Sequence, residues 1–364
     1  MTGLHNEAAR YAAQRLAFAP LMFQACRTLR DVGLLDALAR SRRRGLTCTE
    51  AVAEVGLSPW ATSLLLEAGF AAGLCTCDDE PPEPRFRITA MGTYWLRDQL
   101  TRIHAEFNHH VCYRGAFHLG EALLEGRPAG LDSIDRTGAS TVYEALASLD
   151  PEIRKAWFDF DHFHSDGVFE ACLPRVLAGA PRHVVDIGGN TGRFASLLLD
   201  GSAVRMTLVD LPGQLAVASK NLARFAPRVS FAPLDLRQPD GAIPAGADVY
   251  WLSQFLDCFG EDEIRSILKR VREAMPAHGR VLILETYWNL QRHEASRFCV
   301  IGTSLYFACI ANGTSRMYHS EVMKRLIREA GLVVQDEVAE LGLSHTLLVC
   351  GRAMSQVGVP SCGV

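Results

Sequence analysis

Three aspartates stand where short apolar runs end: Asp186 in HVVDI, Asp210 in MTLVDL and Asp235 in VSFAPLD. The first is followed by GGNTGR, a turn carrying Gly188 and Gly192, and then by the helix-like FASLLL. Strand, glycine-rich turn and helix in that order place a ligand at the carboxyl end of the first strand of an open α/β sheet. The turn is not the dinucleotide fingerprint, because G-x-G-x-x-G begun at Gly188 would need glycine at Asn190 and Arg193. Asp210 follows Asp186 by 24 residues and is placed to accept from ribose hydroxyls, while Asp235 and Leu236 are placed to meet an adenine. Carboxylates at three successive strand ends suit a nucleoside whose other end is cationic, and suit a pyrophosphate badly. S-adenosylmethionine answers that description.

A second set of residues could act on an acceptor. After the run ADVYWL comes SQFLDCFGEDE, in which Asp257 is either a catalytic carboxylate or the cap of the helix EDEIRSIL. Gly260 and Glu261 lie closer to that helix start, which favours the catalytic reading. Residues 101–175 are crowded with rings, among them His109, His110, Tyr113, Phe117, Phe158, Phe160, His162 and His164. At helical spacing these form either an ordinary core or a lid over an aromatic substrate, with His109, His110, Tyr113 and Phe158 as lining and His162, or else His164, His109 or His110, as partner to Asp257. His162 and His164 point about 200° apart on a helix and cannot chelate one ion, so no metal is expected. Arg297 and Arg316 flank the apolar run CVIGTSLYFACIA, and either could hold a carboxylate bidentately or simply be solvated.

The elements that must position these groups fall into three segments. Residues 1–100 read as helices and a two-stranded wing: Gly33 stops a first helix, Thr49 is expected to cap a second, and Ser58-Pro59 opens a third. The acidic, proline-bearing stretch CTCDDEPPEPRFRIT marks an exposed turn between strands. A winged helix can bind DNA, and Arg42, Arg43 and Arg44 are basic. However, the third helix offers Trp60, Leu64, Leu65, Leu66 and Phe70 and neither Arg nor Lys, so a dimer contact is the better reading. Residues 101–175 are the helical connector, and residues 176–364 alternate strand with helix, which predicts a parallel, doubly wound sheet.

Composition bounds the rest. The 364 residues are 48% hydrophobic with a formal net charge of −4, which supports a sizeable core and gives no electrostatic footprint for nucleic acid. The longest apolar run is interrupted by Gly302, Thr303 and Ser304 and falls short of the ~20 residues of a membrane span. Eleven cysteines, an odd number, in a chain without a secretory h-region read as reduced thiols in a cytoplasmic protein.

The winged-helix start, the connector, VVDIGGNTG, VDLPG, the LDL after the third strand and NGTSRMYHSEVMKRLIREAGL resemble, over nearly the whole chain, the class I S-adenosylmethionine-dependent O-methyltransferases of the caffeate, hydroxyindole and bacterial natural-product type. The resemblance implies a Rossmann-like cofactor domain, a homodimer through the N-terminal domain and a small aromatic acceptor. Onto the family's cofactor loop it carries Asp186, Gly188 and Gly192. Asp210 with Leu211 falls on its ribose acid, Asp235 with Leu236 on its adenine contacts, and Ser253 with Gln254 on the cofactor's amino-acid end.

One departure matters. Where the family has L-H-D-W-x-D-E, with the His as base, this chain has Asp257, Cys258 and Phe259, and the family's partner Glu is here Ser315. Full proton transfer from a phenol (pKa about 10) to an ordinary Asp (about 3.9) is uphill by about 8 kcal/mol. After methylation of a ring carbon, by contrast, the intermediate is a strong carbon acid and a weak base suffices. The run FLDCF also resembles bacterial relatives that methylate ring carbons of tyrosine-like or 3-hydroxykynurenine-like phenols. C-methylation ortho to a hydroxyl is therefore expected, with O-methylation by a non-His base as the alternative. A ligand-sensing winged-helix regulator is the alternative of another class.

Overall fold

A computed structural model describes residues 2–78, 83–238 and 241–353. The acidic turn between the wing strands falls in part on residues 79–82, outside the described residues. The chain divides into two compact units, residues 1–106 and 107–364. The first few residues of the expected connector segment thus pack with the N-terminal unit and the remainder with the C-terminal one.

The first unit contains α1 (Thr2–Ala17), α2 (Ala19–Asp31), α3 (Leu34–Ser41), β1 (Leu46–Thr47), α4 (Cys48–Val55), α5 (Pro59–Ala72), β2 (Cys75–Asp78), β3 (Arg85–Ile88), α6 (Ala90–Arg97) and α7 (Gln99–Phe107). Leu29, Leu34, Leu35, Leu38, Leu66 and Leu74 are fully buried at its centre. The expected α5 start holds: Ser58 accepts from the N–H of Ala61 at 3.2 Å, with Pro59 at the first helical position. The expected Thr49 cap does not. Thr47 caps α4, accepting from the Glu50 N–H while Glu50 accepts from the Thr47 N–H, a reciprocal box. Thr49 instead donates to Glu83. The wing has three strands in the order β1-β3-β2, because Leu46 and Thr47 pair with Phe86 and Arg85.

The second unit opens with the helical segment. A π-turn at Asn108–Cys112 leads to α8 (Leu119–Glu125), α9 (Val142–Ala145) and the 26-residue α10 (Pro151–Val176). The alternating part follows: β4 (His183–Ile187), α11 (Arg193–Asp200), β5 (Arg205–Asp210), α12 (Pro212–Asn221), β6 (Val229–Pro233), β7 (Val249–Ser253), α13 (Glu261–Ala274), β8 (Arg280–Glu285), α14 (Glu294–Tyr306), α15 (Ser320–Glu329), β9 (Leu332–Leu341) and β10 (His345–Arg352). The strand order is β6-β5-β4-β7-β8-β10-β9. The first five are parallel, but β10 runs antiparallel to both β8 and β9. The sheet is thus mixed, not parallel throughout: a hairpin, β9–β10, closes one edge. Two cores cover its two faces. One gathers Val185, Tyr250, Ile264, Leu268, Ile283 and Leu326, the other Val184, Leu198, Met206, Trp251, Leu282 and Leu347. The order reverses between β4 and β7, which opens a crevice at their carboxyl ends.

Candidate active site

The crevice begins with Gly188, whose φ is +77. A Cβ placed there would lie 2.2 Å from the ring of Phe255, so only glycine lets the turn and the loop after β7 close on each other. Gly192, at φ +81, starts α11. Two residues other than glycine, Asn190 (φ 46) and Gln254 (φ 49), also hold left-handed backbone here. Strain of that kind is kept where surrounding structure over-determines it, and it clusters at ligand sites.

Between these turns lies a cleft of about 490 Å³, open to solvent and lined by Asp161, His162, Ser165, Asp166, Asp186, Gly188–Thr191, Arg193, Trp251, Ser253 and Gln254 among others. Asp186 is 2% exposed, and its Oδ2 has no partner within the chain. Burial, reinforced by the charge of Asp210, pushes its carboxyl up to about 8. Asp210 accepts from the N–H groups of Asn190 and Leu211, both at 2.7 Å, yet burial still lifts it to about 6. The Oγ of Ser253 and the Oδ1 of Asn190 are likewise without a partner in the chain. Buried polar atoms left open in a cleft are what a polar ligand fills.

These residues fit S-adenosylmethionine. Asp186, Gly188, Ser253 and Gln254 line the cleft, and Asp210 adjoins it through Asn190. Asp235 is turned to other work: it pairs with Arg237, which also binds Glu144, and this guanidinium holds its carboxyl below the usual range against the effect of burial. Leu236 is buried in the sheet core. Neither lines the cleft as described.

Asp257 sits in a short turn, Leu256–Cys258, just beyond β7, and is 6% exposed. It is not a helix cap; Gly260 takes that position for α13, with Glu263 accepting its N–H at 2.8 Å. The turn is pinned from three sides. Glu285, at the end of β8, accepts the N–H groups of Phe255 (3.1 Å) and Leu256 (2.8 Å). Asn312 donates to the carbonyl of Cys258 at 2.6 Å and to Ser315 at 2.7 Å, and Tyr318 donates to the carbonyl of Phe259 at 2.6 Å. Ser315, in the position of the family's Glu, therefore steadies the turn from behind Asn312.

Burial raises Asp257 to about 7, and the Cys258 thiol, 3.5 Å away, supports its charged form. Glu285 is 1% exposed, its Oε2 has no partner in the chain, and burial with the nearby Asp257 charge raises its pKa far above the ordinary value. Two neighbouring buried carboxyls do not both ionise readily. Glu285 ends RVLILE, where the sequence shows only the last residue of a strand.

Next to this turn is an aromatic cluster: Phe107 stacks on Phe160 at 4.0 Å and meets Tyr306 at 4.9 Å, and Trp157 donates to the Tyr306 hydroxyl at 2.7 Å. Phe158 lies against Trp157 and, at 5.5 Å, stacks on His162. Burial, then Arg193, lowers the pKa of His162. His109 and His110 meet edge to face at 4.7 Å in the π-turn, with His110 4.0 Å from Glu152. Tyr113 is 36% exposed. None of these three lines the described cleft. Arg297 and Arg316 are exposed, the latter over the ring of Tyr318, so the structure brings neither to the cleft. Besides Glu285, sequence reading passed over Asp161, hidden in DFDHFH between rings. Among the described residues no group of three or more His, Cys, Asp or Glu is gathered for a metal, and no helix is long and apolar enough to cross a membrane.

The O-methyltransferase domain family model matches residues 117–333, more than half of the chain, and a Dimerisation2-like domain model matches residues 10–81. The chain belongs to the O-methyltransferase domain family and is an S-adenosylmethionine-dependent methyltransferase by class. Among its relatives, demethylspheroidene O-methyltransferase of Rhodobacter capsulatus is 32% identical over 151 residues, 41% of this chain and 36% of that protein. L-tyrosine C(3)-methyltransferase of Streptomyces lavendulae is 21% identical across 87% of this chain and 85% of its own length. The structure of the S-adenosylmethionine-dependent methyltransferase SibL superposes with a TM-score of 0.68 at 23% identity, over 94% of this chain and 99% of that one. At that identity it shares the fold.

Proposed function

We propose that this chain methylates a small phenolic aromatic of bacterial secondary metabolism, tyrosine- or 3-hydroxykynurenine-like, at the ring carbon ortho to the hydroxyl. The observation that carries the reading is Asp257: a buried carboxyl, locked in its turn by Glu285, where the family has an imidazole. Asp186, Asp210, Ser253 and the turn at Gly188 would hold S-adenosylmethionine, which when bound supplies an electrophilic methyl group. The aromatic cluster around Trp157 and Tyr306 would keep water from the Asp257 side of the site. Once the ring carbon carries its methyl, the ring proton that must leave passes to the Asp257 carboxylate. The similarity to L-tyrosine C(3)-methyltransferase, which spans most of both chains, supports this choice of acceptor.

O-methylation is the second reading, and one observation favours it. Raising Asp257 to about 7 narrows the gap to a phenol from about 6 pKa units to about 3, roughly 4 kcal/mol. Product mapping decides between them: incubation with tyrosine or 3-hydroxykynurenine and S-adenosylmethionine, followed by mass spectrometry and NMR, is expected to show an aryl methyl beside the hydroxyl. A methoxy signal would refute the C-methylation reading.

We further propose a cytoplasmic homodimer formed through the N-terminal unit, with the helical segment as a lid. In that unit α5 exposes Trp60 (75%), Leu64 and Phe70, and Tyr11, Leu16, Phe18 and Leu21 are exposed on and between α1 and α2. Apolar faces of this kind mark protein contacts. Sedimentation equilibrium is expected to give twice the 40.0 kDa of one chain; a monomer at micromolar concentration would remove the proposal.

A further inference from the structure

The cleft's carboxylates sort into two groups. Asp186 and Asp210 stand at strand ends, and the charge of Asp210 reaches Asp186. Asp161, from α10, lines the cleft beside His162 and Asp166, within reach of the charge of Asp257. Its carboxyl is enclosed by protein on most sides, yet 30% of the side-chain surface stays open. Among the described residues, Asn190 Nδ2 donates to it at 3.3 Å. The cations nearby are partly engaged or discharged, although the charge of Arg193 still reaches Asp161. Arg193 is bonded to Asp166, and His162, 3.6 Å from Asp161, is held toward its neutral form. Unpartnered Asp186 Oδ2 and Ser253 Oγ open into the same cleft, so the space is built for a ligand. Rings stand beside the acid: Phe158 stacks on His162, and Asp161 acts on Tyr306. Arg297 and Arg316 are elsewhere.

We infer that the acceptor carries a basic nitrogen, and that its ammonium group sits on Asp161 while its phenol faces Asp257. The inference rests on the proposed function. A carboxylate against an ammonium, with aromatic faces alongside, is a strong cation receptor in a partly dry cleft. A carboxylate group on the acceptor has no such anchor there and must point away from Asp161. The acceptor class selected is the arylalkylamine or aromatic amino acid held by its amine.

The test uses tyramine and 4-ethylphenol, which differ by the amine, titrated calorimetrically into the enzyme loaded with S-adenosylhomocysteine. Tyramine is expected to bind about tenfold or more tighter, and Asp161→Asn to bring the two within about threefold. Equal affinities in the unaltered enzyme, or binding of neither, overturn the inference whatever the variant does. So does an Asp161→Asn variant that keeps the preference and loses affinity for S-adenosylhomocysteine instead, since Asp161 would then hold the cofactor's own ammonium. Turnover is scored separately. If neither phenol is methylated while the Asp161-dependent preference persists, the methylation reading falls and the amine site stands.

Discussion

Asp257→Asn is expected to lower kcat by more than about tenfold, within the 10²–10⁴ range of general-base contributions, and to leave cofactor affinity within about threefold. The substitution is nearly isosteric, and the amide oxygen can still accept from Cys258, so the turn pinned by Glu285, Asn312 and Tyr318 keeps its shape. What is lost is the place for a proton. Burial raises Asp257 to about 7, so near neutral pH the native enzyme has a substantial fraction of a base stronger than an ordinary carboxylate, at no great distance in pKa from its working pH. Steady-state kinetics with calorimetric titration of S-adenosylmethionine separates the two effects. Turnover within twofold of the native enzyme would return Asp257 to a purely structural role.

Affinity for S-adenosylmethionine is expected to rise by more than about tenfold between pH 5.5 and 7.5. In the free enzyme Asp186 is raised to about 8 and Asp210 to about 6, chiefly by burial. A sulfonium, charged at every pH, favours the ionised carboxylates and lowers their pKa in the complex. The free protein therefore holds more protons than the complex in this window, protons leave on binding, and affinity climbs with pH. Calorimetry in buffers of different ionisation heat should count about one proton released at pH 6.5. A flat profile, or proton uptake, would show that these acids do not meet the cationic ligand.

Much of the cofactor half was legible because its chemistry is local. Asp186, Gly188 and Gly192 lie within seven residues, and a strand, a turn and a helix announce themselves by period. Ser58-Pro59 capped its helix as read for the same reason. What escaped was set by distant parts of the chain. Glu285 ends an unremarkable apolar strand and acquires meaning only when β8 lies beside β7 and brings it to the N–H groups of Phe255 and Leu256. Asp161 looked like spacing between rings until α10 turned it toward Asn190 and the cleft. Strand β9 carries Asp336, Glu337 and Glu340 on an exposed edge, so it lacks the apolar run by which the other strands were found. Arg297 and Arg316 were placed by their nearness to an apolar run, and nearness in sequence does not fix which side of a helix or loop faces a cleft.

Helix α10 has a mechanical consequence. At about 1.5 Å per residue its 26 residues make a rod of roughly 39 Å. One end, through Ile153, Ala156 and Trp157, is set in the core shared with Tyr306, while Val168, Phe169, Cys172 and Val176 are set in a core of the sheet. Asp161, His162 and Asp166 occupy the stretch between. A rod clamped at both ends cannot rotate at one without torque at the other, so Asp161, His162 and Asp166 are held in one register against the strand ends of the cleft, and a substitution that loosens either clamp would misalign all three together.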